Sequence, residues 1–129
     1  MAELPSPCGL WRLGVERLGP APPRLIDALV VIGPDGEVAV TFSGWSGEPG
    51  AGWWRPAGPM RSIVVVQWFA RDWADDALPT RWLTVRAAAE LCADGSRFQA
   101  RLRWQRFDRV GQPRGNAVTG EAEGHRHRA

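Results

Sequence analysis

Residues 80–107, TRWLTVRAAAELCADGSRFQARLRWQRF, constrain the fold more than any other part of the chain. In the second half of this segment Phe98, Ala100, Leu102 and Trp104 alternate with Arg97, Gln99, Arg101, Arg103 and Gln105. A strand with one face in the core and one in water imposes that period of two, whereas a helix would mix the two sets. The first half repeats the division, with Leu83, Val85, Ala87, Ala89 and Leu91 on one side and Thr84, Arg86 and Glu90 on the other. Between the halves, Ala93-Asp94-Gly95-Ser96 contains an Asp-Gly step, a strong hairpin signal because glycine accepts a positive φ. The expected element is a long antiparallel hairpin with one wet face, and the rest of the chain must supply strands that cover the other.

The 129 residues are enough for one domain, 1–129, with residues 1–8 as a flexible leader and 127–129 as a tail. Hydrophobic residues at 44 % and charged residues at 23 % are ordinary for a globular domain. All 16 basic residues are Arg, but they alternate with acids and the net charge is only +2, which argues against a nucleic-acid partner. Cys8 and Cys92 read as two reduced thiols. The start, MAELPSPCGLW, has no basic segment followed by an apolar run, and no stretch approaches the roughly 20 apolar residues of a membrane span. The expectation is a soluble, cytoplasmic protein with no membrane partner.

The remaining strands follow from alternation and punctuation. Trp11, Leu13 and Val15 alternate with polar or small residues, and the run ends at Gly19-Pro20-Ala21-Pro22-Pro23, where proline removes backbone donors. Residues 24–32 are apolar at Ile26, Ala28, Val30 and Ile32, and also at Leu25, Leu29 and Val31 around Asp27, so this strand is expected to be covered on both faces. Gly33-Pro34-Asp35-Gly36 is a turn. Strand 37–43 follows with Val38, Val40 and Phe42 on one face, then a glycine-rich loop 44–50 carrying Trp45, then a short strand 52–55. Strand 60–71 is apolar on both faces, and parity around Gln67 suggests that Ile63, Val65, Gln67 and Phe69 point inward. Residues 72–79 have room for a helical turn. A last strand from about 114 to 126 sets Val118, Gly120, Ala122 and Gly124 against Thr119, Glu121 and Glu123.

Strands joined in sequence by short links favour an all-β, eight-stranded antiparallel up-and-down barrel, since closure removes exposed edges. A barrel of that size is either filled by side chains or holds one small ligand, and the Gly and Ala positions of the last strand suggest space inside. Gly9-Leu10-Trp11 at the first strand and Arg126 late in the last resemble the pair with which the lipocalin, or calycin, group closes one barrel end. Asp35-Gly36, Gly52-Trp53-Trp54-Arg55 and Gly124-His125-Arg126 make the order of elements similar to that of small lipocalin-like bacterial proteins. The resemblance implies a lipocalin-like barrel in which the Arg126 guanidinium covers the Trp11 ring.

No Walker loop, dinucleotide fingerprint, nucleophile elbow or metal-spaced Cys/His cluster is present, so no cofactor and no metal is expected. His125 and His127 read as a solvated tail, and Glu121 and Glu123 as a wet strand face. Gln67 interrupts an apolar face and is the candidate catalytic or orienting group, because a buried amide needs a partner. Phe42, Trp54, Val65, Phe69 and Val85 are candidate ligand-binding residues. Phe98, Leu102 and Trp104 complete that wall, and Trp45 is placed at its mouth. Three functions remain open. One is a cyclase or isomerase of secondary metabolism that folds an apolar substrate against aromatic walls. The others are a non-catalytic carrier or sensor of a hydrophobic small molecule, and a filled structural barrel. Apolar residues left on the outside point to a homodimer.

Overall fold

The computed structural model describes residues 6–18, 24–42, 49–69, 82–108 and 110–127. Its strands are β1 (Gly9–Leu18), β2 (Arg24–Ile32), β3 (Glu37–Phe42), β4 (Gly50–Gly58), β5 (Arg61–Phe69), β6 (Trp82–Leu91), β7 (Arg97–Phe107) and β8 (Pro113–Arg126). Each pairs antiparallel with the next, and β8 returns to β1, Trp11 opposite Arg126, to close the barrel. The expected all-β up-and-down barrel is therefore what the chain forms, and the described residues contain no helix.

The central hairpin is β6–β7. Its register sets Val85 opposite Trp104, Ala87 opposite Leu102, Ala89 opposite Ala100 and Leu91 opposite Phe98, so the apolar face of each arm turns inward together. The turn is held by a side chain. The Asp94 carboxylate accepts the Ser96 backbone N–H at 2.9 Å, the Ser96 hydroxyl at 2.6 Å and the Cys92 thiol at 2.8 Å. Bonds from Cys92 and Ser96 hold the Asp94 carboxyl well below the usual carboxylate range. Gly95 supplies φ 75°, as the Asp-Gly signal requires.

Alternation also reads correctly in β1, β3 and β8. Trp11, Val15, Val38, Val40 and Ala122 are buried, while Glu121 and Glu123 are exposed. Two strands differ from expectation. In β5 the inward residues are Val64, Val66 and Trp68, the opposite parity to that read around Gln67. Gln67 is exposed and donates from Nε2 to the Thr84 hydroxyl at 3.2 Å on the outer surface. The reason lies in the partner strand: β6 has an unambiguous inner face, and pairing Val66 with Val85 and Trp68 with Leu83 imposes that face on β5. In β2, Ala28, Val30 and Ile32 are buried, but Leu29 and Val31 are 47 % and 52 % exposed. The outer face of that strand is thus not covered.

Strand β4 runs past the expected 52–55 in both directions. Gly52 allows this, because a Cβ there would lie 1.8 Å from the Val65 carbonyl oxygen of β5. Trp45, the segment 72–79 and the side chain of Phe69 fall outside the described parts of the structure. Cys8 and Cys92 are free thiols.

Candidate functional site

Inward side chains of the strands enclose a cavity of about 350 Å³. At about 30 Å³ per liquid water this equals roughly a dozen molecules, far more than a packing defect. The space arises where β6 and β7 present Ala87, Ala89 and Ala100 to the interior. It does not arise at Gly120 and Gly124, contrary to the expectation from the last strand. A Cβ on Gly120 would lie 2.4 Å from the Trp104 ring, and one on Gly124 would lie 2.2 Å from the Phe98 ring. Those glycines are small because two aromatic rings lie on them.

At the end where β1 begins, Trp11 is fully buried and forms the floor on one side. Its ring meets Phe98 edge-on, with centroids 4.9 Å apart at 70°, and the Arg126 guanidinium carbon sits 4.4 Å above it. Trp11 Nε1 donates to the Pro7 carbonyl at 2.8 Å. Arg126 donates from Nε to the Gly95 carbonyl at 3.0 Å, and through its other nitrogens to the carbonyls of Cys8 and Ser6. One arginine thus ties the incoming chain, the β6–β7 turn and β8 together over the indole, in the arrangement that the Gly9-Leu10-Trp11 and Arg126 motifs imply.

On the other side of the same end the cavity meets solvent. Ser6, Pro56, Gly58, Pro59 and Arg61 line it and are nonetheless exposed. These residues border the tight β4–β5 turn, in which Met60 takes φ 64° and its carbonyl accepts the Leu91 N–H at 2.8 Å. That bond ties the turn to β6 and fixes the rim of the opening.

The structure brings Phe42, Trp54, Val85, Phe98, Leu102 and Trp104 together on the cavity wall. Val65 and Gln67 are absent from it, because the parity of β5 turns both outward, so Gln67 cannot orient a molecule inside. Trp45 and the Phe69 side chain are not described. Sequence reasoning passed over Val66 and Trp68, the β5 residues that do line the wall. Trp68 packs on Phe42, with ring centroids 5.0 Å apart at 32°. The only sequence signal for it was the opposing Gly50, whose Cβ would fall 2.1 Å from the indole.

The chemistry on the wall is sparse. Its hydroxyl and charged side chains are Ser6, Arg61 and Ser62, all at the open end, and no carboxylate, imidazole or thiol lines it among the described residues. His125 and Glu123 lie outside and exposed, 3.4 Å apart. No group of three or more His, Cys, Asp or Glu is placed to hold a metal among the described residues. No family model matches this chain, and no curated protein does.

Proposed function

We propose that this barrel takes up one hydrophobic small molecule from water and holds it in the central cavity. The observation that carries the reading is the apolar hollow of about 350 Å³ with an opening beside the β4–β5 turn. Its size lies at the lower end of small-molecule sites, roughly 300–1,000 Å³, and its wall is of the same kind, mostly aliphatic and aromatic. Apolar residues inside and charged ones such as Arg101, Arg103, Glu121 and Glu123 outside reverse the pattern of a membrane-spanning barrel. No helix among the described residues is long and apolar enough to cross a membrane. The Trp11–Arg126 stack supports the lipocalin likeness, and a cytoplasmic carrier fits both points.

With no carboxylate, imidazole or thiol on the described wall, chemistry inside the barrel would rest on shape. A flexible substrate folded against Phe42, Trp54, Trp68 and Trp104 gains proximity, which is worth up to about 7–11 kcal/mol in well-oriented cases. Cyclisation or isomerisation without a cofactor is therefore the catalytic form of this proposal. Equilibrium dialysis against fluorene, a rigid tricyclic hydrocarbon, tests the shared premise. One molecule per protomer with micromolar affinity is expected, and no saturable uptake would reject the reading. The exposed Leu29, Val31 and Trp53 supply an apolar outer face for a second copy. Sedimentation equilibrium should give twice the protomer mass, and a single-protomer mass would rule the dimer out.

A further inference from the structure

Four tryptophans line the cavity, Trp11, Trp54, Trp68 and Trp104, and the indole N–H groups of Trp11 and Trp54 are satisfied by the protein. Trp11 Nε1 donates to the Pro7 carbonyl at 2.8 Å and Trp54 Nε1 to the Gly33 carbonyl at 2.9 Å. Trp68, only 5 % exposed, is different. Its Nε1 has no hydrogen-bond partner, and among the described residues it is the one buried side-chain nitrogen or oxygen in that state. Native proteins rarely leave such a donor unmatched, because its lost hydration is not regained.

The surroundings explain why the protein does not satisfy it. Phe42 lies against the indole, and the N–H edge rests on Gly50, where a Cβ would come within 2.4 Å of Nε1. Across the sheet Trp68 faces Leu83, and its inward neighbour Val66 faces Val85, all without side-chain acceptors. Trp68 also lines the cavity, where a guest would supply the partner that no described residue provides.

We propose that the molecule held in the cavity carries a carbonyl-type acceptor that takes the Trp68 N–H. This rests on the reading of the cavity as a small-molecule site and adds the class of molecule. An indole N–H only donates, so its partner must accept. A hydroxyl accepts but brings a proton of its own, which would then be stranded among Phe42, Val66 and Leu83. A carboxylate would bring a full charge to a region whose nearest cavity-lining cation, Arg61, sits at the other end of the barrel. A ketone or quinone on an otherwise apolar skeleton meets both limits.

The test uses two probes of matched shape, fluorene and 9-fluorenone, which differ by one carbonyl oxygen. Equilibrium dialysis of the full chain and of Trp68→Phe should show the substitution weakening fluorenone binding about three- to tenfold more than it weakens fluorene binding. In ¹H–¹⁵N spectra of the unsubstituted protein, assigned with Trp68→Phe, the Trp68 indole proton should move downfield with fluorenone and not with fluorene. Equal weakening of both probes, no weakening of either, or an unmoved Trp68 resonance with fluorenone bound would overturn the acceptor inference while leaving the cavity reading intact. If neither probe bound the unsubstituted protein, the cavity reading itself would fall, and this inference with it.

Discussion

Replacing Trp11 with alanine should lower the free energy of unfolding by about 3–5 kcal/mol, the range for deleting a large buried aromatic. Trp11 sits at the upper end of that range because three separate contacts end on it. The indole is fully buried, its edge meets Phe98 and its face carries Arg126. Its N–H satisfies the Pro7 carbonyl, which the alanine variant leaves unpaired. A domain of this size has only about 5–15 kcal/mol to lose, so the melting temperature should fall by about 10–20 °C. Trp53→Ala is the matched control. Trp53 is 42 % exposed on the outer face with Arg55 over its ring at 5.0 Å, and its loss should cost less than about 1 kcal/mol. Thermal denaturation followed by circular dichroism separates the two, and equal shifts would mean that Trp11 does not anchor the closed side of the barrel.

The largest functional effect is expected from filling the hollow. Ala87 lies at mid-barrel on β6, between Val64 of β5 and Leu102 of β7, and all three line the cavity. An indole introduced by Ala87→Trp projects into open space rather than into a packed core, so the usual overpacking cost of about 1–3 kcal/mol should be largely avoided. Fluorene, which needs the same volume, should lose at least about a hundredfold in affinity, equivalent to about 2.7 kcal/mol. The melting temperature reports whether the variant is folded, and dialysis reports whether it binds. A folded Ala87→Trp protein that still bound fluorene normally would place the binding site somewhere other than the cavity.

How much of this was legible beforehand depended on contrast between the two faces of each strand. Strand β7 was unambiguous because every second residue from Arg97 to Gln105 is Arg or Gln, and no packing arrangement buries that face. Strand β8 was legible for the same reason through Glu121 and Glu123. In β5 the contrast is missing: Val64 and Val66 are as apolar as Ile63 and Val65, and in the sequence the lone Gln67 reads as a functional interruption of the inner face. It is instead an ordinary outer residue bonded to Thr84, and the register imposed by β6 decides the matter. The polar atom of the interior belongs to the next residue, Trp68, which hydropathy counts simply as an aromatic.

The cavity was legible only in part. Aromatic residues at Phe42, Trp54, Phe98 and Trp104 were placed on the wall by alternation alone, and the structure puts them there. The source of the space was not. Gly120 and Gly124 look like voids in a linear sequence, but the rings that occupy them come from the neighbouring strand, and side-chain reach across a sheet is not encoded in spacing. The opening was beyond sequence reasoning as well, since it depends on Pro56 and Gly58 being inward on β4 yet uncovered beside a two-residue turn.

The central claim, that the hollow of the barrel receives an apolar molecule, is tested most directly by nuclear Overhauser contacts from bound fluorene to assigned methyl groups. Contacts to the inward Val30, Val66, Val85 and Leu102, with none to the outward Leu29 and Val31, are the predicted result. Contacts confined to Leu29 and Val31 would contradict it, and would place the molecule on the outer surface of β2.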